Sequence, residues 1–268
     1  MDSSAKLAFL SFLFIPFPGV ISPCPLTAGI PVKNAGTYAS HWAALLTERN
    51  MIMKSKINPK DIVRNGYDKV SYAYRAESFD YEQSGYKTFL SWLTPKLSPG
   101  ASVLDLGCGC GIPVAQVLSQ QYQVTGVDIS PTQIKRAHEL VPAARFICAD
   151  MSALDFSPNS FDAIVAFYSI IHLPLEEQPV LFAKLAQWLK PTAYFLASVG
   201  HTAWTGTEAN WRGVQGATMY WSHHDSEVYR RLLDENGLQI VQEGFLPEGE
   251  GGHTIFLSQK AVITGRSE

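Results

Sequence analysis

Residues 101–111 read ASVLDLGCGCG, a short apolar run that meets Asp105 and then opens into Gly107, Gly109 and Gly111. Glycine loses more conformational freedom on folding than any other residue, so three in alternate positions signal a backbone that turns sharply or is approached closely. The stretch that follows, IPVAQVLSQQ (112–121), has helical spacing. Strand, glycine loop and helix in that order admit few architectures. A near-uniformly apolar strand belongs in a parallel sheet covered on both faces, and such sheets take ligands outside the carboxyl ends of their strands.

The rest of the chain repeats the alternation. YQVTGVDIS (122–130), ARFICAD (144–150), FDAIVAFYS (161–169) and AYFLASVG (193–200) read as four further strands. Helices are expected over PTQIKRAHELV (131–141), with Ser130 as N-cap and Pro131 in the first helical position, and over EEQPVLFAKLAQWL (176–189). SEVYRRLLDENG (226–237) reads as a helix closed by Gly237. LQIVQEGFL and HTIFLSQKA, joined by a short glycine-rich link, read as a hairpin that puts an antiparallel strand at the sheet edge. The predicted fold is α/β: a doubly wound, mostly parallel, seven-stranded Rossmann-like sheet. An N-terminal helical cap is expected over residues 56–98 and the main domain over 99–268. An irregular insertion, 201–225, carries Trp204, Trp211, Tyr220, Trp221, His201, His223 and His224.

Residues 1–55 are set apart. LAFLSFLFIPFPGVIS (7–22) is strongly apolar, but it is too short and too broken by proline for a membrane-spanning helix, which needs about 20 apolar residues. It reads as a disposable leader or poorly ordered extension, with a signal peptide or anchor as the alternative and Met51 or Met53 as alternative starts. No stable membrane insertion is expected. With 268 residues, 46% of them hydrophobic, the chain is long enough for a sizeable core. A net charge of −3, with no run of Lys and Arg longer than a pair, argues against a nucleic-acid partner. Cys108 and Cys110 stand two apart with no matching partner pair, so no metal is expected and the thiols read as reduced, in a cytoplasmic protein.

Acids at the strand tips sharpen the ligand. Asp128 ends the second strand, where a carboxylate accepts from ribose hydroxyls, and Asp150 ends the third, where it would accept from an adenine amino group. Helix capping and turn chemistry are the plainer reading of both. The loop opens with an acid, Asp105, which would repel a pyrophosphate but attract an ammonium or sulfonium. That favours S-adenosylmethionine over NAD. VLDLGCGCG, VTGVDIS, FICADM and FDAIVAFYSIIHLP, in this order and spacing, resemble the class I S-adenosylmethionine-dependent methyltransferases over roughly residues 67–260. The resemblance implies that Asp105, Gly107, Cys108 and Gly109 hold the methionine end. It assigns Asp128 to the ribose, Ile129 to the adenine face, Asp150 and Met151 to the adenine pocket, and Phe167 to the region of the methionine carboxylate and methyl group. LKPTAYF departs from the family, which commonly has two glycines after the proline; Thr192 and Ala193 are expected to alter a turn only.

Methyl transfer needs in-line placement more than covalent help. AFYS (166–169) lacks the Asn/Asp-Pro-Pro-aromatic motif of base-amine methyltransferases and the acid of metal-dependent types. The expectation is a metal-independent transfer to a small-molecule acceptor by a monomer or homodimer. His172 is the candidate base, with helix stabilisation as the bland alternative; Asp225 reads best as a helix cap. Among Tyr67, Tyr72 and Tyr74, Tyr74 is placed at the cofactor. The aromatics of the insertion suggest a roof over a flat or apolar acceptor. A nicotinamide oxidoreductase and a non-catalytic cofactor-binding module are the rival readings.

Overall fold

The computed structural model describes residues 58–75, 79–249 and 251–262. The leader expected over 1–55 lies outside them. Two helices come first, α1 (Pro59–Tyr74) and α2 (Gly85–Leu93). The sheet then builds through β1 (Ser102–Leu106), α3 (Val114–Leu118), β2 (Gln123–Asp128), α4 (Pro131–Leu140), β3 (Arg145–Cys148), β4 (Phe161–Ala166), α5 (Gln178–Trp188) and β5 (Leu189–Gly200). After β5 come β6 (Trp204–Ala209), β7 (Thr218–His223), α6 (Ser226–Glu235), β8 (Leu238–Glu248) and β9 (Gly251–Lys260).

The seven-stranded sheet has the order β3-β2-β1-β4-β5-β9-β8, and β1 to β5 are mutually parallel. The antiparallel strand is β9, which lies between β5 and β8, one in from the edge where the sequence reading had placed it. The order reverses between β1 and β4, which sets a crevice at their carboxyl ends. Period-two alternation buries both faces. Leu104, Leu106, Ile164 and Ala166 face α5 and α6, whereas Val103, Ala163 and Val165 face α2, α3 and α4. Ser130 caps α4, its Oγ accepting from Gln133 N–H at 3.1 Å. Thr192 holds a left-handed φ of +64° where the pairing of β4 and β5 shifts register, a conformation glycine takes without strain.

The insertion is not irregular. β6 and β7 form their own antiparallel pair. α1 lies on β7, and Val63, Val70, Trp211 and Met219 bury together in a third, smaller cluster. Gly66 permits this: a Cβ there would stand 2.5 Å from the Thr218 carbonyl oxygen. α1 is tied to the sheet by Asp68, which accepts from Ser130 Oγ at 2.6 Å and Thr132 N–H at 3.1 Å. Buried Arg136 donates to the Ser71 carbonyl at 2.6 Å and the Arg75 carbonyl at 2.8 Å, satisfying the last turn of α1. No described helix is long and apolar enough to cross a membrane.

Candidate active site

A cleft of about 930 Å³, part of it open to solvent, lies at the carboxyl ends of β1 to β4 against α1. Asp105, Gly107, Cys108 and Gly109 form its floor. The three glycines of the loop do three different things. Gly107 has φ +74° and a Cβ there would meet the Ser169 Cβ at 2.2 Å, so it permits close approach of the loop after β4. Gly111, at φ +82°, would press on Val141 at 2.9 Å. Gly109, at φ +55°, would meet nothing within 4 Å: its bare backbone faces open space in the cleft.

Asp128 pins that loop. Its Oδ2 accepts from Gly109 N–H at 2.9 Å and its Oδ1 from Ser130 N–H at 2.8 Å. Burial lifts its pKa to about 6, and these N–H bonds limit the rise. Asp105 is 2% exposed, and its Oδ2 is buried with no hydrogen-bond partner among the described residues. Burial, then the nearby Asp128 charge, pushes it up to about 8. Both folded values exceed the ordinary carboxyl value of about 3.9. The folded chain therefore keeps protons that the unfolded chain has released, and these two groups cost stability progressively as pH rises from about 4 to about 8. A cation seated beside them removes that cost.

Ile129, Asp150, Met151 and Phe167 also line the cleft. Asp150 is already engaged. Its Oδ1 accepts from Ser152 N–H and Oγ, each at 2.9 Å, and its Oδ2 pairs with Lys60 at 2.6 Å. Burial works to raise this carboxyl, but the bonds from Lys60 and Ser152 outweigh it and hold the pKa below the usual range. Lys60 also reaches Glu177 at 2.7 Å, so an ion-pair cluster ties the start of α1 to the strand tips.

Tyr74 and His172 complete the wall. Tyr74 packs edge-on to Tyr67 at 5.7 Å and tilted on Trp211 at 5.2 Å. His172 is buried, and both ring nitrogens are taken. Nδ1 lies 2.6 Å from the Tyr220 carbonyl oxygen, which can only accept, so Nδ1 carries the hydrogen. Nε2 therefore accepts from the Tyr67 hydroxyl at 3.0 Å. Burial lowers His172 to about 4, against the opposing pull of the Tyr220 carbonyl. The sequence reading offered His172 as a candidate base, with helix stabilisation as the alternative; here it lines the cleft with both ring nitrogens engaged, one of them by Tyr67.

Several singled-out residues sit elsewhere. Tyr72 is exposed beneath the Arg136 guanidinium, 4.1 Å from its ring centre. Trp204 is exposed on β6. Asp225 caps α6, accepting from Val228 N–H at 3.0 Å. His201 pairs with Thr254 Oγ1 at 3.0 Å, and His223 packs against Gly200. Lys60, Arg75, Tyr86 and Tyr168 line the cleft without having been singled out. Their signal was weak: Lys60, Arg75 and Tyr86 are polar or aromatic residues of the N-terminal helical region, and Tyr168 is one more aromatic in a run that reads as strand.

The comparisons with known proteins point to methyltransferases. A profile described as a methyltransferase domain matches residues 103–192. That match supports the class I S-adenosylmethionine-dependent methyltransferase reading. The chain is 33% identical over 144 residues to 2-methyl-6-phytyl-1,4-hydroquinone methyltransferase of a Synechocystis strain, covering 52% of this chain and 41% of that protein. It is 31% identical over 163 residues to cycloartenol-C-24-methyltransferase of Arabidopsis thaliana, covering 53% and 48%. The matches thus span less than half the length of these curated relatives. Among solved structures, the chain superposes with TM-score 0.58 on Burkholderia thailandensis 1,6-didemethyltoxoflavin-N1-methyltransferase. That pair is 18% identical and covers 88% of this chain and 94% of the other, which has 1,6-didemethyltoxoflavin and S-adenosylhomocysteine bound. The nicotinamide and non-catalytic readings draw no support from these matches.

Proposed function

We propose that the chain transfers a methyl group from S-adenosylmethionine to a small-molecule acceptor, without a metal. The observation that carries this is the buried, unpartnered Asp105 Oδ2 beside Asp128 and the open backbone of Gly109. Such a floor suits a compact cation over a pyrophosphate. Bound there, S-adenosylmethionine supplies an electrophilic methyl carbon on a sulfonium and leaves as a neutral thioether. Asp105, Gly107, Cys108 and Gly109 would hold its methionine end and Asp128 its ribose. Ile129 and Met151 would flank the adenine, with Phe167 and Tyr74 closing the reacting end. Asp150 serves chiefly to clasp Lys60, keeping α1 over the adenine side. The acidic net charge favours a small molecule over nucleic acid as acceptor, and we keep the cytoplasm as the compartment and a monomer or homodimer as the assembly.

The test is calorimetric titration with S-adenosylmethionine, S-adenosylhomocysteine and NAD. Micromolar binding of the adenosyl ligands is expected; binding of NAD alone would overturn the reading. The raised Asp105 adds a pH signature. At pH 7 this carboxyl is largely protonated and must ionise to pair with an ammonium. Affinity should therefore rise with pH, by up to about tenfold per unit between roughly pH 6 and 8, and level off above. The heat of binding should also vary with buffer ionisation enthalpy. A flat profile would remove Asp105 from the ligand.

Tyr67 and His172 form a positioning pair. The low pKa of His172 makes it a poor proton acceptor at neutral pH, but its Nε2 fixes where the Tyr67 hydroxyl points. Tyr67→Phe is expected to lower kcat by up to about 100-fold, the scale of a small misplacement of the reactants, while S-adenosylhomocysteine affinity stays within about threefold. At saturating cofactor, kcat should show no inflection near the ordinary histidine value of about 6.5. An inflection there that vanishes in His172→Gln would restore His172 as the base.

A further inference from the structure

The cleft continues past Tyr67 and Tyr74 into a second recess of about 720 Å³, part of it open to solvent, between α1, the Trp211 turn and the end of β8. This recess shares Tyr67, Tyr74, Arg75, Tyr86 and Tyr168 with the cleft, and its outer part, Trp211, Arg212, Trp221, Glu248 and His253, has no role in the cofactor assignment above. Its walls are aromatic, and its polar groups are mostly donors. Trp221 Nε1 is buried and finds no acceptor among the described residues, although an indole N–H can only donate. The Arg75 guanidinium lies 4.2 Å from the Phe79 ring centre and gives one hydrogen bond, to Tyr86 Oη at 3.2 Å, with no carboxylate partner among the described residues.

Arg212 faces it from the insertion, stacked 5.3 Å from the Trp211 ring centre and 5.5 Å from that of Tyr74. Its carboxylate neighbour, Glu248, is 3.9 Å away, at the outer limit of an ion pair, and Glu248 also meets His253 Nε2 at 3.1 Å. The backbone that presents Arg212 is strained: Asn210 and Arg212 hold left-handed φ angles of +54° and +55°. Non-glycine residues in that region cost about 1–3 kcal/mol each and gather at ligand clamps.

We infer that this recess seats the methyl acceptor, and that the acceptor is a planar aromatic molecule bearing an anionic oxygen group. The inference rests on the methyltransferase reading and names the acceptor class for it. Two guanidiniums and an unpaired indole N–H against one shared carboxylate make a site that rewards anionic oxygen and repels an amine cation. The partly buried rings of Tyr74 and Trp221 give a flat ring apolar walls to lie against. An anionic oxygen placed there would offset the charge of the Arg75 and Arg212 guanidiniums.

The test uses three probes with one ring system: 1-hydroxy-2-naphthoate, 1-naphthol and 1-naphthylmethylamine. Each is titrated into the full chain saturated with S-adenosylhomocysteine. The naphthoate should bind at least tenfold tighter than naphthol, with the amine weakest. Arg212→Gln, at a half-exposed position, should cost the naphthoate at least fivefold and leave naphthol and S-adenosylhomocysteine unchanged. Trp221→Phe, which keeps the ring and removes the N–H, should weaken the naphthoate several-fold. Equal affinity across the probes, a preference for the amine, no binding of any probe, or discrimination that survives Arg212→Gln would each overturn the acceptor class while normal S-adenosylhomocysteine binding left the cofactor reading intact. Loss of S-adenosylhomocysteine binding in the unaltered chain would bring down the methyltransferase reading, and this inference with it.

Discussion

Asp128→Ala should weaken S-adenosylhomocysteine binding by about 100-fold or more, roughly 2.7 kcal/mol. Two losses combine. The carboxylate sits at the tip of β2, where it is placed to accept from a ribose, and that acceptor disappears. The same oxygens hold Gly109 N–H at 2.9 Å and Ser130 N–H at 2.8 Å, so the alanine variant also releases the glycine loop from β2 and the start of α4. A buried donor left unpaired costs about 1–3 kcal/mol, so melting temperature should fall too. Asp128→Asn separates the two effects. Its amide keeps one oxygen but turns a second donor toward an N–H, so it should fold better than the alanine variant and still bind weakly. Calorimetry with parallel thermal melts reads both. Affinity within threefold of the unaltered chain for the alanine variant would show that Asp128 braces the loop without touching ligand.

The middle of the sheet was legible because β1, β4 and most of β5 are covered on both faces. That geometry writes these strands as largely apolar runs, and the acids at the strand tips stand out as interruptions. Asp105, Asp128 and Asp150 were visible for that reason, and the structure sets them around one cleft. β6 and β7 were not legible. Trp204–Ala209 is exposed at nearly every position, so no apolar alternation marks β6 as a strand; only the pairing with β7 does. The partners of functional groups were also hidden. His172 is defined by Tyr67 and Tyr220, and Asp150 by Lys60, all distant in sequence. Such pairings depend on how α1 and the insertion pack over the sheet edge. In the same way, β9 lies inside β8 because the chain crosses back before pairing with β5, which no local pattern records.

Two glycines of one loop should fail in opposite ways when given a methyl group. In Gly107→Ala the new Cβ falls 2.2 Å from the Ser169 Cβ, at a backbone with φ +74°. The left-handed conformation costs an alanine about 1–2 kcal/mol, and forcing an atom into packed surroundings costs about 1–3 more. Melting temperature should drop by about 5–15 °C, taking roughly 2–4 °C per kcal/mol for a chain of this size. In Gly109→Ala the backbone penalty is similar, but the Cβ meets no atom within 4 Å. That variant should lose only a few degrees, yet bind S-adenosylhomocysteine at least tenfold more weakly, because the methyl group occupies space on the cleft floor. Thermal melts and calorimetry on the two variants therefore test the loop from both sides. A Gly109→Ala protein with unaltered affinity would mean that nothing approaches the backbone there. The alternate glycines would then serve packing alone, and the site of the methionine end would have to be sought elsewhere along the strand tips.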